Sequence, residues 1–316
     1  APIQTIADLL KSRQFAARGF LAKVTGKGGH YTLPWGFAGD CPGAFSSPAP
    51  APTLDADRDS ILHEWAAPDE PGKVAAAPAE QPLEGLKVLD LAWVVAGPLI
   101  GRNLADYGAT VIRVESSRRV ETARLMGPFP GGVYDVCRSA LFETCNAGKF
   151  GLSLDLSRPE ARTVIRKLAS WADVLVESFT PGQMARWGLS YQELAKDNPG
   201  LVMVSTSLTG QSGPFAKYSG YGNHGAAIAG FQHLVGRADA APVGPYGPYT
   251  DFIAPRFGIA ATLAALDHRR RTGQGCWLDV SQTEAGAQFL AAQIAETSVT
   301  GRVQGAMGNR DATMAP

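Results

Sequence analysis

An excess of charge of either sign is missing from this sequence: Lys+Arg and Asp+Glu number 29 each in 316 residues, a formal net charge of zero. Such a balance points to neither nucleic acid nor an acidic membrane surface as the main partner. Long apolar runs are missing too, since none approaches the roughly 20 residues that span a bilayer. Cysteine is scarce: Cys41, Cys137, Cys145 and Cys276 show no metal-ligand or redox spacing. No metal site is expected, and reduced thiols in a cytoplasmic protein are the natural reading. The dinucleotide fingerprint Gly-x-Gly-x-x-Gly is also absent after the first regular strand, where the chain reads Ala96-Gly97-Pro98. Pro98 removes an amide that would otherwise cradle phosphate, which argues against an NAD site.

What is present is a foldable chain. Hydrophobic residues make up 45% and charged residues 18%, ordinary values for a globular protein with a real core. The length suits two domains or one large one. Residues 1–45 read as one amphipathic helix over 3–15, then an irregular stretch rich in glycine and aromatics through Trp35 and Phe37. From Ser46 to Pro82 the composition shifts to Ala, Pro and Asp, with Pro48-Ala49-Pro50-Ala51-Pro52 and then Pro68, Pro71 and Pro78. That is an extended, semi-rigid linker, with room for one helical turn over 61–65.

Beyond Leu83 the pattern becomes regular. Short apolar strands are expected over 87–91, 110–114, 173–176, 201–204 and 277–280. Helices are expected over 100–107, 158–171, 191–196, 226–234, from Ala260 to Arg271, and over 283–297. Alternation of this kind argues for a parallel sheet flanked by helices. Asp251 stands out in Pro245-Tyr246-Gly247-Pro248-Tyr249-Thr250-Asp251-Phe252-Ile253, a turn-rich aromatic loop with no other charge. A lone carboxylate just ahead of a helix either caps it or attacks an electrophile.

Several segments in order settle which role to expect. They are Leu89-Asp90-Leu91 with Ala96-Gly97-Pro98, Gly108 to Glu115, and Asn146 to Lys149 leading into Leu152 to Leu156. Ala172-Asp173-Val174, Glu177 to Gly182, Asn198-Pro199, Gly210-Gln211-Ser212-Gly213-Pro214 and Arg271 to Gly275 follow. Together, over roughly residues 84 to 316, they resemble family III coenzyme A transferases, the group that includes formyl-CoA:oxalate and carnitine CoA-transferases. The resemblance implies an open, mostly parallel Rossmann-like α/β sheet flanked by helices, preceded by an N-terminal extension and linker. It also implies a division of the chain. Residues 1–45 resemble the C-terminal tail of a preceding copy, 46–82 form the linker, and 83–316 form the large domain of a second copy, stopping before its small domain. A circularly permuted single copy is the alternative.

In this family an aspartate carboxylate attacks an acyl-CoA thioester, and CoA then passes through an aspartyl thioester to an acceptor acid. Asp251 occupies the matching place. Trp93, Val94 and Ala96 match the strand-end loop that packs on the CoA adenine in relatives; for Trp93, core packing is the competing reading. Ser178 and Phe179 fall in the segment lining the CoA arm, and Arg186, followed by Trp187, matches a phosphate-contacting arginine. Arg118, Arg158 and Lys149 are further phosphate candidates. The implied partners are an acyl-CoA and a carboxylic acid as substrates, with no group bound covalently at rest. An interlocked homodimer, or a pseudo-dimer within a tandem chain, is the implied assembly.

The sequence also departs from the family pattern. Relatives place an acidic residue in the loop occupied here by Tyr221-Gly222-Asn223, so a contact to the active carboxylate is expected to be absent or altered. Val95 replaces a polar residue of oxalate-specific members. A glycine-rich covering loop would lie beyond Pro316. Two rivals stay open: an alpha-methylacyl-CoA racemase, whose histidine would stand where this chain has Tyr221, and a non-catalytic half of a tandem enzyme.

Overall fold

The computed structural model describes residues 2–26, 29–39, 48–50, 52–66 and 80–311. Part of the linker (46, 47, 51 and 67–79), Cys41 and the last five residues therefore lie outside the described part. After two short helices comes a hairpin of β1 (Leu21–Gly26) and β2 (Gly29–Pro34). It is followed by β3 (Lys87–Asp90), β4 (Thr110–Glu115), β5 (Phe150–Ser153), β6 (Val174–Glu177), β7 (Val202–Ser207) and β8 (Cys276–Ser281). These last six make one sheet in the order β5-β4-β3-β6-β7-β8, with every pairing parallel. This is the open, helix-flanked Rossmann-like α/β sheet expected from the sequence.

Strands buried on both faces need apolar residues at successive positions rather than strict alternation. Val88, Val174, Val202 and Leu278 pack on one side against Ile100, Leu104, Ala261 and Ala265 from the helices Ala96–Asp106 and Tyr249–Thr272. Leu89, Leu175 and Met203 pack on the other side against Ile165, Ala169, Leu189 and Leu194. The strand order reverses direction between β3 and β6. In an open sheet of this kind a crevice forms there, outside the carboxyl ends of the strands.

Several boundaries differ from the sequence expectation. The helix placed at Ala260 begins at Tyr249 and runs through Pro255 to Thr272. Proline is a helix breaker by its missing N–H and ring clash, but burial of Ala254, Pro255, Gly258, Ala261 and Ala265 carries the helix through it. Asp251 thus stands in the first turn of a helix rather than in a loop. The 3–15 helix is split into Ile6–Leu10 and Arg13–Ala17, the second capped by Ser12. The 226–234 helix is Gly222–Ile228 plus Phe231–Leu234, and the 283–297 helix is Gln282–Gln288 plus Ala291–Thr300. The turn expected over 61–65 is the exposed helix Arg58–Ala66.

Residues 2–39 wrap onto the large domain. Ile6, Leu9, Phe15 and Phe20 are buried against Ala226, Phe231, Ala287, Leu290 and Ile294, each burial contributing about 1.5–3 kcal/mol. The polar part of this contact is Arg18, whose sequence position gave no hint of it. Its guanidinium pairs with Asp279 at the end of β8 and with Glu284, and Nη2 also donates to the Asp279 carbonyl at 3.1 Å. Gln14 accepts from the Phe215 N–H at 2.7 Å and donates to the Thr209 and Ser212 carbonyls. Replacing Arg18 by Met would strand two buried carboxylates, so a loss of about 3–5 kcal/mol is expected. Urea unfolding should show that loss, and hydrogen exchange should show residues 6–34 deprotected first.

Another buried acid sits two strands away from β8. Glu177, at the end of β6, is pushed up to about 7 by burial, against the pull of the Ser205 hydroxyl and the Phe179 N–H. Its folded-state value lies above the 4.5 of an ordinary glutamate. The folded protein therefore holds a proton that the unfolded chain releases, and stability is lost as pH rises between those two values. Glu177→Gln should flatten the dependence of the unfolding midpoint on pH across that window. An unchanged slope would contradict this assignment.

Candidate functional site

The crevice at the switch point is a cleft of about 190 Å³. One wall is the loop Trp93 to Gly97 after β3, and the second is Ser178 to Pro181 after β6. The third is the segment Ala216 to Tyr221, with Asp251 and Gln282 at its inner end. The structure thus brings Trp93, Val94, Ala96, Ser178 and Phe179 to the same cleft as Asp251.

Asp251 is 6% exposed. Its Oδ2 accepts the Gly222 N–H at 2.9 Å, and the Gln282 amide beside it in the cleft is the second neutral donor. Burial pushes the carboxyl above its usual range, while these two donors pull it back. Thr250 lies beside it, with Oγ1 at 3.0 Å from both the Gly222 carbonyl and Gln282 Oε1. The contact expected to be absent or altered in this loop is altered: the Gly222 backbone delivers it in place of an acidic side chain.

That contact requires glycine. A Cβ at Gly222 would fall 2.3 Å from the Pro248 carbonyl oxygen and 2.6 Å from the Asp251 nitrogen. One at Gly225 would fall 2.1 Å from Thr250 Oγ1. The two glycines let the Gly222–Ile228 helix abut the start of the Tyr249–Thr272 helix.

The Trp93–Ala96 loop is held under tension. Val94 has φ 67°, a left-handed conformation that a β-branched residue rarely adopts. Its N–H is held by Glu121 Oε1 at 2.8 Å, and the preceding Trp93 N–H by Ser178 Oγ at 2.8 Å. The Ser178 hydroxyl therefore ties the two walls together besides lining the cleft. Glu121 is buried, and that burial raises its carboxyl above the ordinary glutamate range.

Trp93, Phe179 and Trp187 form an aromatic row, with ring centroids 6.4 and 5.0 Å apart. Beyond the row lies a second cavity of about 430 Å³, sharing Trp93 and Phe179 with the first. Trp187, Arg118, Arg119 and Arg162 line it, and the Arg119 guanidinium sits 5.1 Å from the Trp93 ring centre. Arg118 is thereby placed beside the aromatic row. Arg186 lines neither cavity; it is exposed and donates to Gln183 Oε1. Arg158 is exposed and 3.9 Å from Asp155, also outside both. Lys149 is buried, and all three of its donors are spent, on Asp90 (2.7 Å), the Pro98 carbonyl (2.8 Å) and Asn146 (2.8 Å). Burial also holds its pKa below the usual lysine range. It braces the β3 loop from below and has no donor left for a phosphate. No cluster of three or more metal-ligating side chains occurs among the described residues.

A doubly wound sheet with a buried carboxylate beside its switch point places the chain among the α/β proteins. The chain belongs to CoA-transferase family III, whose sequence pattern matches residues 83–316. It is 32% identical over 238 residues to the succinyl-CoA–D-citramalate CoA-transferase of Chloroflexus aurantiacus, covering 75% of this chain and 58% of that protein. It is 36% identical over 237 residues to the acetyl-CoA:oxalate CoA-transferase of Acetobacter aceti, covering 74% and 59%. A crystal structure of a CAIB/BAIF family protein from Brucella suis superimposes with a TM-score of 0.69 at 34% identity, covering 75% of this chain and 62% of that one. The chain thus spans under two thirds of the length of these relatives.

Gly222→Ala should displace the Asp251 turn, with a cost of about 1–3 kcal/mol from overpacking against backbone. Chemical denaturation checks the loss; an unchanged midpoint would contradict the close approach.

Proposed function

We propose that the intact protein transfers CoA from an acyl-CoA to a carboxylic acid, with Asp251 as the acyl-accepting nucleophile. The observation that carries this reading is the state of Asp251: buried, ionisable, without an ion pair among the described residues, and at the inner end of a cleft lined by Trp93, Val94, Ala96, Ser178 and Phe179. Exchange between acyl bonds of similar energy calls for a covalent relay, and a carboxylate supplies one. Desolvation sharpens its nucleophilicity, and the start of the Tyr249–Thr272 helix favours the anion.

The two cavities divide CoA between them. Its thioester end fits the cleft at Asp251, and its nucleotide end fits the aromatic row with Arg118, Arg119 and Arg162, where planar guanidinium groups suit phosphate. Trp187 belongs to this second part. Arg186 would reach the phosphates only by leaving Gln183. The acceptor is read as a dicarboxylic acid: named relatives act on D-citramalate, glutarate and oxalate, and among the described residues Lys217 is the one cationic side chain lining the cleft.

A racemase reading is weaker, because Tyr221 stands in the histidine's place. His224 lies outside the cleft lining, and its Nδ1 is occupied by the Tyr221 N–H at 3.2 Å. We also infer that residues 1–45 end a preceding copy of the domain and that 46–82 link the two. The docking of residues 2–39 through Arg18, ahead of a family match that begins at residue 83, supports that division. Among the described residues, no helix is long and apolar enough to cross a membrane.

Incubating the intact protein with acyl-CoA should leave a covalent CoA adduct on the peptide containing Asp251, visible by mass spectrometry. Asp251→Ala should abolish both adduct and transfer; a variant with normal transfer would sink the reading.

A further inference from the structure

Gln282 was not singled out by its sequence, yet it lines the cleft together with Asp251, and its hydrogen bonding pulls the Asp251 carboxyl down. It opens the Gln282–Gln288 helix, is 7% exposed and lines the cleft. Its Oε1 lies 3.0 Å from Thr250 Oγ1. The Gly222 carbonyl can be satisfied within its own helix, which frees the Thr250 hydroxyl to donate to Gln282 Oε1. An amide oxygen that accepts from Thr250 leaves the amide N–H groups facing Asp251. The carboxylate thus has one neutral donor in the Gly222 N–H at 2.9 Å and a second beside it in the cleft, the Gln282 amide.

We propose that the Gly222 N–H and the Gln282 side-chain amide form an oxyanion hole for the aspartyl carbonyl, making Gln282 a second catalytic residue. This rests on Asp251 being the acyl-accepting nucleophile. The Gly222 N–H holds Oδ2, so Oδ1 is the attacking atom. Oδ1 bonds to the thioester carbon, the C–S bond breaks, and CoA leaves as thiolate, with an anhydride left behind. The thiolate then attacks the Asp251 carboxyl carbon. The carbonyl electron pair moves onto Oδ2, and collapse expels the donor acid as its carboxylate, carrying Oδ1 away. The acceptor carboxylate attacks the resulting aspartyl thioester in the same way, again loading charge onto Oδ2 as thiolate departs. The thiolate finally attacks the acceptor's acyl carbon and releases the Asp251 carboxylate, now holding an acceptor oxygen.

No proton moves in any of these steps. That explains why the groups against Asp251 are fixed neutral donors and not a titrating acid or base. Both passages over the aspartyl carbon develop charge on the oxygen that is already held, which is the geometry in which preorganised donors are most effective.

The test uses single-turnover kinetics of the intact protein, quenched and read by mass spectrometry for aspartyl-CoA. Gln282→Met keeps the length of the side chain and removes the donor. Aspartyl-CoA should form on the order of 100-fold more slowly, as for loss of one oxyanion-hole donor, with the KM for acyl-CoA and the unfolding midpoint little changed. Gln282→Glu, of the same shape but anionic, should be slowed at least as much. Wild-type rates in Gln282→Met, or a raised KM at an unchanged first-order rate, would overturn the proposal. Failure of the wild-type protein to form aspartyl-CoA would instead overturn the Asp251 relay itself.

Discussion

Asp251 is a buried carboxylate with no cation in contact among the described residues, and much of the surrounding structure follows from keeping it so. Removing an ionised group from water is costly unless hydrogen bonds replace the lost hydration. Here the replacement comes from the Gly222 N–H and the Gln282 amide. The first needs a helix start so close that only glycine fits at residue 222. The second needs Thr250 to orient the amide. An arginine or lysine in the same place would hold the anion more tightly and blunt it as a nucleophile; neutral donors keep it ionisable and reactive.

The cleft in front of Asp251 is built on a different principle. Its β3 loop holds a β-branched residue in a left-handed conformation, which costs on the order of 1–3 kcal/mol. Buried charges beneath the loop offset that cost. Asp90 joins Lys149 and Arg113, and Glu121 binds the Val94 N–H. The arrangement fixes Trp93 beside Phe179 and sets the spacing between the two cavities. On the far side of the sheet's end, Arg18 ties the N-terminal segment to Asp279 and Glu284. The site and the clamp share one element, since Glu284 and Gln282 belong to the same short helix. A disturbance at Arg18 would therefore reach Asp251 through only a few bonds.

The sheet was legible because parallel strands buried on both faces leave short apolar runs such as Lys87–Asp90 and Val202–Ser207, and amphipathic helices fall between them. Asp251 was legible through the order of motifs around it. Its place in a helix was not, because Pro255 reads locally as a breaker and only tertiary burial overrides it. The hairpin of β1 and β2 escaped notice because only Val24 and Pro34 of its strands are buried and a glycine stands at the turn end of each strand. Gly222, Gln282 and Arg18 act across separations of 29, 31 and over 260 residues; no local pattern marks such contacts. Lys149 shows the reverse error: its charge suggested phosphate, whereas its burial commits it to Asp90.

The central claim is that acyl groups pass through the Asp251 carboxylate, and isotope transfer tests it most directly. The intact protein would be cycled with unlabelled acyl-CoA and an acceptor acid carrying ¹⁸O in its carboxylate. The relay requires acceptor oxygen to be left behind on the enzyme, so the peptide containing Asp251, and no other, should gain the label. Sustained formation of acceptor acyl-CoA with an unlabelled Asp251 would contradict the account.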